Sequence, residues 1–111
     1  MRTEQFFRCL ADQKRINTIL LIWHSQEVSL FQLACVLEQS ENSVARNMAL
    51  LLKNNIVIER RQELDRLYRI NPELPRWAYK VLKHTYIGNK HILEGQLLPL
   101  EDGTENSATH L

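Results

Sequence analysis

Very little in this chain would suit a stapled, membrane-spanning or metal-clustered protein. Cysteine occurs only twice in 111 residues, as Cys9 and Cys35. That is too few for a disulfide framework, and neither belongs to a Cys-x-x-Cys or Cys/His cluster of the zinc type. In a reducing compartment both read as buried thiols, with a reversible Cys9–Cys35 disulfide as the competing redox reading. Three glycines leave no room for a phosphate-cradling loop, and no nucleophile, base and orienting group fall in a recognisable motif. An enzyme is therefore not expected, nor is a cofactor. The longest uninterrupted apolar run, Ile19 to Trp23, is too short to cross a bilayer, and Met1-Arg2-Thr3-Glu4 lacks the apolar core of a signal peptide. A cytoplasmic protein without membrane partners is the expectation.

What is present is enough for one modest core, since 44% of the residues are hydrophobic. A formal net charge of +1 conceals an uneven distribution. Residues 1–42 hold four Lys/Arg against five Asp/Glu, residues 43–90 hold ten against four, and residues 91–111 hold none against four. The middle is thus strongly basic and the end acidic. Electrostatic recognition depends on the local field, so a nearly neutral chain can still carry a basic face.

Helical spacing and capping residues divide the chain. Residues 3–11 suit a first helix, and Asp12 can cap a second that runs to about His24 with Ile16, Ile19, Leu20 and Trp23 as its buried stripe. Glu27-Val28 is a short extended piece. Ser29-Leu30-Phe31-Gln32 has the form of a capping box that starts a third helix. Ser40 can cap a fourth, ending near Asn54, after which Asn55 tolerates the left-handed conformation that stops a helix. Ile56-Val57-Ile58 and Leu67-Tyr68-Arg69-Ile70 are β-rich runs on either side of a polar segment, which predicts a hairpin whose register is open because its turn lacks glycine. Asn71-Pro72 ends the strand, Pro75 can occupy the first turn of a fifth helix, and Gly88-Asn89 interrupts or ends it. One folded domain is expected over residues 1–93, with an acidic, mobile tail over 94–111.

The fourth helix sets Val44, Met48, Leu51 and Leu52 on an inner face and polar residues on the outer one. A mainly α fold with a small hairpin in this order is the plan of a winged helix-turn-helix, and double-stranded DNA is the first partner to consider. Candidate DNA-binding residues are Ser40, Asn42, Ser43, Arg46 and Asn47 on the helix and Arg60, Arg61 and Arg66 on the hairpin. Arg46 can bond guanine bidentately and Asn47 adenine. Tyr68 and Arg69 read as structural. Glu41 is repulsive near phosphates unless it complements the helix start or accepts from cytosine.

Three stretches resemble the ArsR/SmtB family of winged-helix repressors, and its arsenic-sensing branch in particular. They are Leu10-Ala11-Asp12-Gln13-Lys14-Arg15, the run from Gln39 to Met48, and Tyr68-Arg69-Ile70-Asn71-Pro72 followed by Leu74-Pro75-Arg76-Trp77-Ala78. The resemblance implies a homodimer built through the first and fifth helices, with Phe6, Phe7, Leu10, Trp77, Val81 and Leu82 at its interface. It implies two recognition helices on an inverted-repeat operator. The sensing positions depart from the family pattern. Ser29, Phe31 and Ala34 stand where the arsenic branch has three cysteines, and Pro72, Glu73, Thr85 and Gly88 stand at the other common metal site. Arsenic or zinc sensing is therefore not carried over. His84, His91 and Glu94 have spacings that would share a face only on an unbroken helix, which Gly88-Asn89 opposes. The expected function is a dimeric, sequence-specific repressor with an unknown inducing signal. The alternative is a winged-helix protein-interaction module that dimerises but has lost DNA binding.

Overall fold

A computed structural model of the chain describes residues 1–97, excluding the side chains of Gln96 and Leu97. The element order is α1 (Thr3–Leu10), α2 (Gln13–Ser25), β1 (Val28–Ser29), α3 (Leu30–Leu37), α4 (Glu41–Lys53), β2 (Val57–Gln62), β3 (Asp65–Ile70), α5 (Arg76–Gly88) and α6 (Lys90–Ile92), closed by a π-helical turn over Leu93–Leu97. This is the mainly helical winged helix-turn-helix with a small antiparallel hairpin that the sequence predicts. The helical part extends to Leu97, and Leu93 is buried in the core. Residues 94–97, the first four of the stretch expected to be tail, belong to that closing turn. Residues 98–111, where the rest of that expectation falls, lie outside the described residues.

Local rules account for most element ends. The Asp12 carboxylate accepts from the Arg15 amide at 3.1 Å and opens α2. At α3 the capping box is complete, with Gln32 N donating to Ser29 Oγ and Ser29 N donating to Gln32 Oε1, both at 3.0 Å. Ser40 Oγ accepts from Ser43 N at 3.1 Å and opens α4. After α4, Asn55 takes φ 59°. Its amide bonds to the Leu52 carbonyl and that of Ile56 to Leu51, the paired bonds of a Schellman stop. Ile56 and Leu51 are both fully buried, which adds the apolar contact that seals such an ending. Glu38, at φ 54°, ends α3 in the same way without the help of an Asn or Gly. Pro75 stands just before α5 as its cap rather than inside the first turn.

The sheet order is β1-β3-β2, all antiparallel. Gln62 pairs with Asp65, so the wing turns on two residues, Glu63 and Leu64. Glu63 carries the positive φ, 58°, that a tight hairpin requires at its first turn position. The turn therefore lacks glycine but not the geometry that glycine usually supplies. That register puts Glu59, Arg61, Arg66 and Tyr68 on one face of the hairpin and Ile58, Arg60, Leu67 and Arg69 on the other.

The core forms around α2, which packs against α1, α5, β1, β3 and the C-terminal turn. A helix enclosed on several sides is apolar around most of its girth. Accordingly Thr18, Ile19, Leu20, Leu21 and Ile22 are all buried, whereas Ile16 and Trp23, expected in a single buried stripe, are only half-buried. Thr18 meets its polar obligation by donating to the Lys14 carbonyl at 2.8 Å. No helix among the described residues is long and apolar enough to cross a membrane.

Candidate nucleic-acid interface

α3 and α4 are joined by the three residues Glu38, Gln39 and Ser40. Val44, Met48 and Leu51 anchor the inner face of α4 in the core, with Leu52 half-buried beside them. The opposite face carries Asn42 and Arg46, both exposed, with Ser43 and Asn47 half-buried at its margin. Arg46 has no ion pair or side-chain hydrogen bond among the described residues. Ser43 is more constrained: its amide closes the Ser40 cap and its hydroxyl donates to Gln39 Oε1 at 3.2 Å. Ser40 itself is exposed, with its Oγ engaged at the helix start.

Between the starts of α3 and α4 and the tip of the wing lies a recess of about 420 Å³ lined by Phe31, Glu41, Asn42, Ala45, Arg61, Leu64 and Arg66, among others. The sequence-predicted residues Asn42, Arg61 and Arg66 thus meet at one place, although they come from three elements. Arg61 is exposed and unpaired among the described residues, whereas Arg66 is half-buried. Arg66 reaches the phenol of Tyr68, which is fully buried. Burial pushes that phenol up from its ordinary range, the Arg66 contact acts against this, and Glu59 beside it adds to the rise. Glu41 and Asp65 also line the recess, so its charge is mixed.

Arg60 is placed differently from the expectation. It belongs to the other face of the hairpin, where Glu27 takes both ends of its guanidinium at 2.8 Å. The basic excess of residues 43–90 is divided likewise. Arg69 lies with Arg60 on that far face, and Arg76, Lys80, Lys83 and Lys90 are exposed along α5 and α6. Fewer cations face the recess than the sequence count suggests, because strand alternation sends neighbouring arginines to opposite sides.

The residues expected at a subunit interface fall into two groups. Phe6 and Leu82 are enclosed within the subunit, at 0% and 1% exposure. Phe7 and Trp77 remain open, at 46% and 38%, and Leu10 and Val81 are half-buried. Phe6 supports the open pair from beneath, edge-on to Phe7 at 5.3 Å and to Trp77 at 5.0 Å between ring centroids. α1 and α5 thereby present two aromatic side chains side by side.

The sensing candidates are scattered. Cys9 is buried and receives the Asn54 amide on Sγ at 3.1 Å, and burial raises its thiol above the ordinary range. Cys35 is exposed on α3, contrary to the expectation of a buried thiol, because it lies on the face of that helix turned from Leu33 and Ala34. Both are free thiols. Among the described residues no three His, Cys, Asp or Glu side chains converge as a metal site requires, so His84, His91 and Glu94 are not brought together. Ser29 is occupied by its cap, Phe31 is 60% exposed, and Thr85 donates to the Val81 carbonyl at 2.6 Å. Sequence reasoning also passed over Leu64, which is 98% exposed at the wing tip, and Tyr79, which shares a cleft on the far side of the hairpin with Trp23 and Arg69, two residues read from the sequence as core and structural. A known register would have revealed Leu64, since a two-residue turn places its side chain in solvent.

A helix-turn-helix whose second helix is anchored by one face and bare on the other, with a hairpin beside it, defines a winged-helix transcriptional regulator. The comparisons agree. The chain is 34% identical over 96 residues to the arsenic resistance transcriptional regulator ArsR2 of Pseudomonas putida, covering 86% of this chain and 84% of that one. It is 32% identical over 82 residues to the arsenical resistance operon repressor of Escherichia coli, covering 74% and 70%. Among solved structures, HlyU of Vibrio cholerae shares the fold at a TM-score of 0.65 and 16% identity, over 81% of this chain and 96% of that one. No protein-family model matches the chain. At this identity and coverage the chain belongs to the ArsR family of winged-helix transcriptional regulators.

Proposed function

We propose that this protein is a homodimeric, cytoplasmic repressor that occupies an inverted-repeat operator in double-stranded DNA. α4 enters the major groove and the wing reaches the adjoining backbone or minor groove. The observation that carries this reading is the convergence of Asn42 and Arg46 on the bare face of α4 with Arg61 and Arg66 at the recess beside it. Phosphates neutralised by the wing arginines would position the protein, while Arg46 and Asn47 read base edges. Phe7 and Trp77 provide the surface through which two copies would pair, setting their recognition helices about 34 Å apart, one turn of B-DNA, or a multiple of that. Neither inherited metal site is available to release it. Ser29, Phe31 and Ala34 lack the thiolates for a metalloid, and Pro72, Glu73, Thr85 and Gly88 lack the donor set of the other site.

The test is retardation of a DNA fragment from upstream of the gene as salt is raised. A dimer that neutralises several phosphates should lose affinity steeply, and its Arg46→Ala variant should lose retardation while remaining dimeric. Absence of retardation at low salt would replace the repressor reading with that of a dimerising protein-interaction module.

A further inference from the structure

The cleft on the far side of the hairpin has a construction of its own. It measures about 730 Å³ and lies between α2, the β2–β3 hairpin and α5. That is within the range of about 300–1,000 Å³ occupied by small-molecule sites. One part of its wall is aromatic: Trp23 and Tyr79 stand 5.1 Å apart with ring planes inclined at 45°. Ile70 and Pro72 continue the apolar surface. The polar part holds Arg60, Arg69 and Glu27, two guanidinium groups against one carboxylate. Both oxygens of Glu27 accept from Arg60, so the exposed Arg69 acts on that carboxylate through its charge alone and has no hydrogen-bond partner among the described residues. One guanidinium in excess of the carboxylates, beside two ring faces, suits one kind of guest. Gln26, at the rim, holds φ 73° and ψ −49°, a conformation that non-glycine residues rarely adopt and that is concentrated at ligand sites.

From this arrangement we propose that the cleft binds an aromatic monocarboxylate, with its carboxylate on Arg69 and its ring against Trp23 and Tyr79. A carboxylate arriving there also competes with Glu27 for Arg60. Since the Glu27–Arg60 pair ties the base of the wing to the loop before β1, its exchange would loosen the wing and lower affinity for DNA. The cleft would then be the site at which an inducer acts. That last consequence rests on the repressor reading, whereas the binding site itself does not.

Benzoate, and benzamide as its uncharged counterpart, are the probes, titrated at millimolar concentration into the full chain labelled with ¹⁵N and free of DNA. Benzoate should move the indole N–H signal of Trp23 and leave that of Trp77, on the other side of α5, in place. Benzamide and the Arg69→Gln variant should each bind at least about tenfold more weakly. No movement of Trp23, or equal binding of benzamide by the parent protein, would overturn the site, and the benzamide comparison holds whether or not Arg69→Gln folds. The second arm repeats the DNA retardation with benzoate present, and the half-point should move to higher protein concentration. Binding with an unchanged half-point would remove the inducer role. Binding by a protein that retards no DNA would leave the cleft standing and discard the repressor reading instead.

Discussion

Glu27 holds both ends of the Arg60 guanidinium, Nε donating to Oε2 and Nη2 to Oε1 at 2.8 Å each, and so joins the loop before β1 to the outer strand of the wing. An arginine that sequence reasoning assigns to DNA is thereby committed to holding the hairpin. The pair is solvent-accessible, so its contribution is one of geometry more than of stability. Its pH dependence has a definite sign. The hydrogen bonds from Arg60 hold the Glu27 carboxyl below the ordinary carboxylate range. A depressed folded-state value means that the contact is fully present above the unfolded value of about 4.3 and is lost as pH falls through the lower, folded one. The Arg60 Nε–H resonance should therefore remain protected from solvent exchange at neutral and mildly acidic pH and lose protection only in stronger acid. In Glu27→Gln it should exchange faster already at neutral pH. Equal exchange in the two proteins would show that the clamp does not persist in solution.

The two thiols should behave oppositely. Cys9 is buried and its thiol is raised by desolvation, which suppresses the reactive thiolate, whereas Cys35 is exposed. Brief treatment of the folded protein with iodoacetamide near neutral pH should alkylate Cys35 and spare Cys9, and both should react in urea. Peptide mass spectrometry reads the site directly. Rapid modification of Cys9 in the folded protein would mean that α1 opens far more readily than its packing indicates.

Much of this architecture is written in short-range chemistry, and that part is readable from the residues alone. Asp12, Ser29, Ser40 and Asn55 act within three or four residues of themselves, so the helix starts and the stop after α4 follow from residue type and spacing. The hairpin faces are another matter. Whether Arg60 or Arg61 points to the recess depends on one step of register, and the usual glycine marker is missing because Glu63 adopts the positive φ itself. The same limit applies to Cys35, since a short helix with seven apolar residues among its eight does not declare which face is outside. At the putting-together of distant segments the sequence is silent. Trp23, Arg69 and Tyr79 are 46 and 10 residues apart in turn, and only the packed chain places them on one cleft.

On the proposed dimer, adjacent phenylalanines separate folding from assembly. Phe6 has no exposed surface and Phe7 is nearly half exposed. Truncation of Phe6 to alanine should cost about 3–5 kcal/mol, the range for a buried aromatic, and should do so at any protein concentration. Phe7→Ala should leave the subunit's own stability within about 0.5 kcal/mol, as surface changes do. It should instead weaken the dimer and make the unfolding midpoint less dependent on concentration. Denaturant unfolding at two concentrations, with sedimentation equilibrium, distinguishes the effects. A Phe7→Ala protein that dimerises as tightly as the parent would move the interface elsewhere.

The hairpin faces lead to a comparison within one dipeptide. Arg61 lies across from Arg66 at the recess beside α4, and Arg60 lies across from Leu67 on the side of the Glu27 clamp. If the wing meets phosphate through the recess side, Arg61→Ala should reduce the slope of log affinity against log salt by about 1 per subunit, the signature of one lost phosphate contact. Arg60→Ala should lower affinity without changing that slope, because it removes a brace and not a phosphate contact. Arg46→Ala should differ from both. A base-reading arginine costs about 1–3 kcal/mol on the preferred sequence and much less on unrelated DNA, so its loss compresses the ratio between the two. Fluorescence anisotropy over a salt series, on the upstream fragment and on a scrambled duplex, resolves all three variants. A slope change in Arg60→Ala equal to that in Arg61→Ala would mean that the hairpin meets DNA edge-on, and the division of its two faces between DNA and the cleft would have to be abandoned.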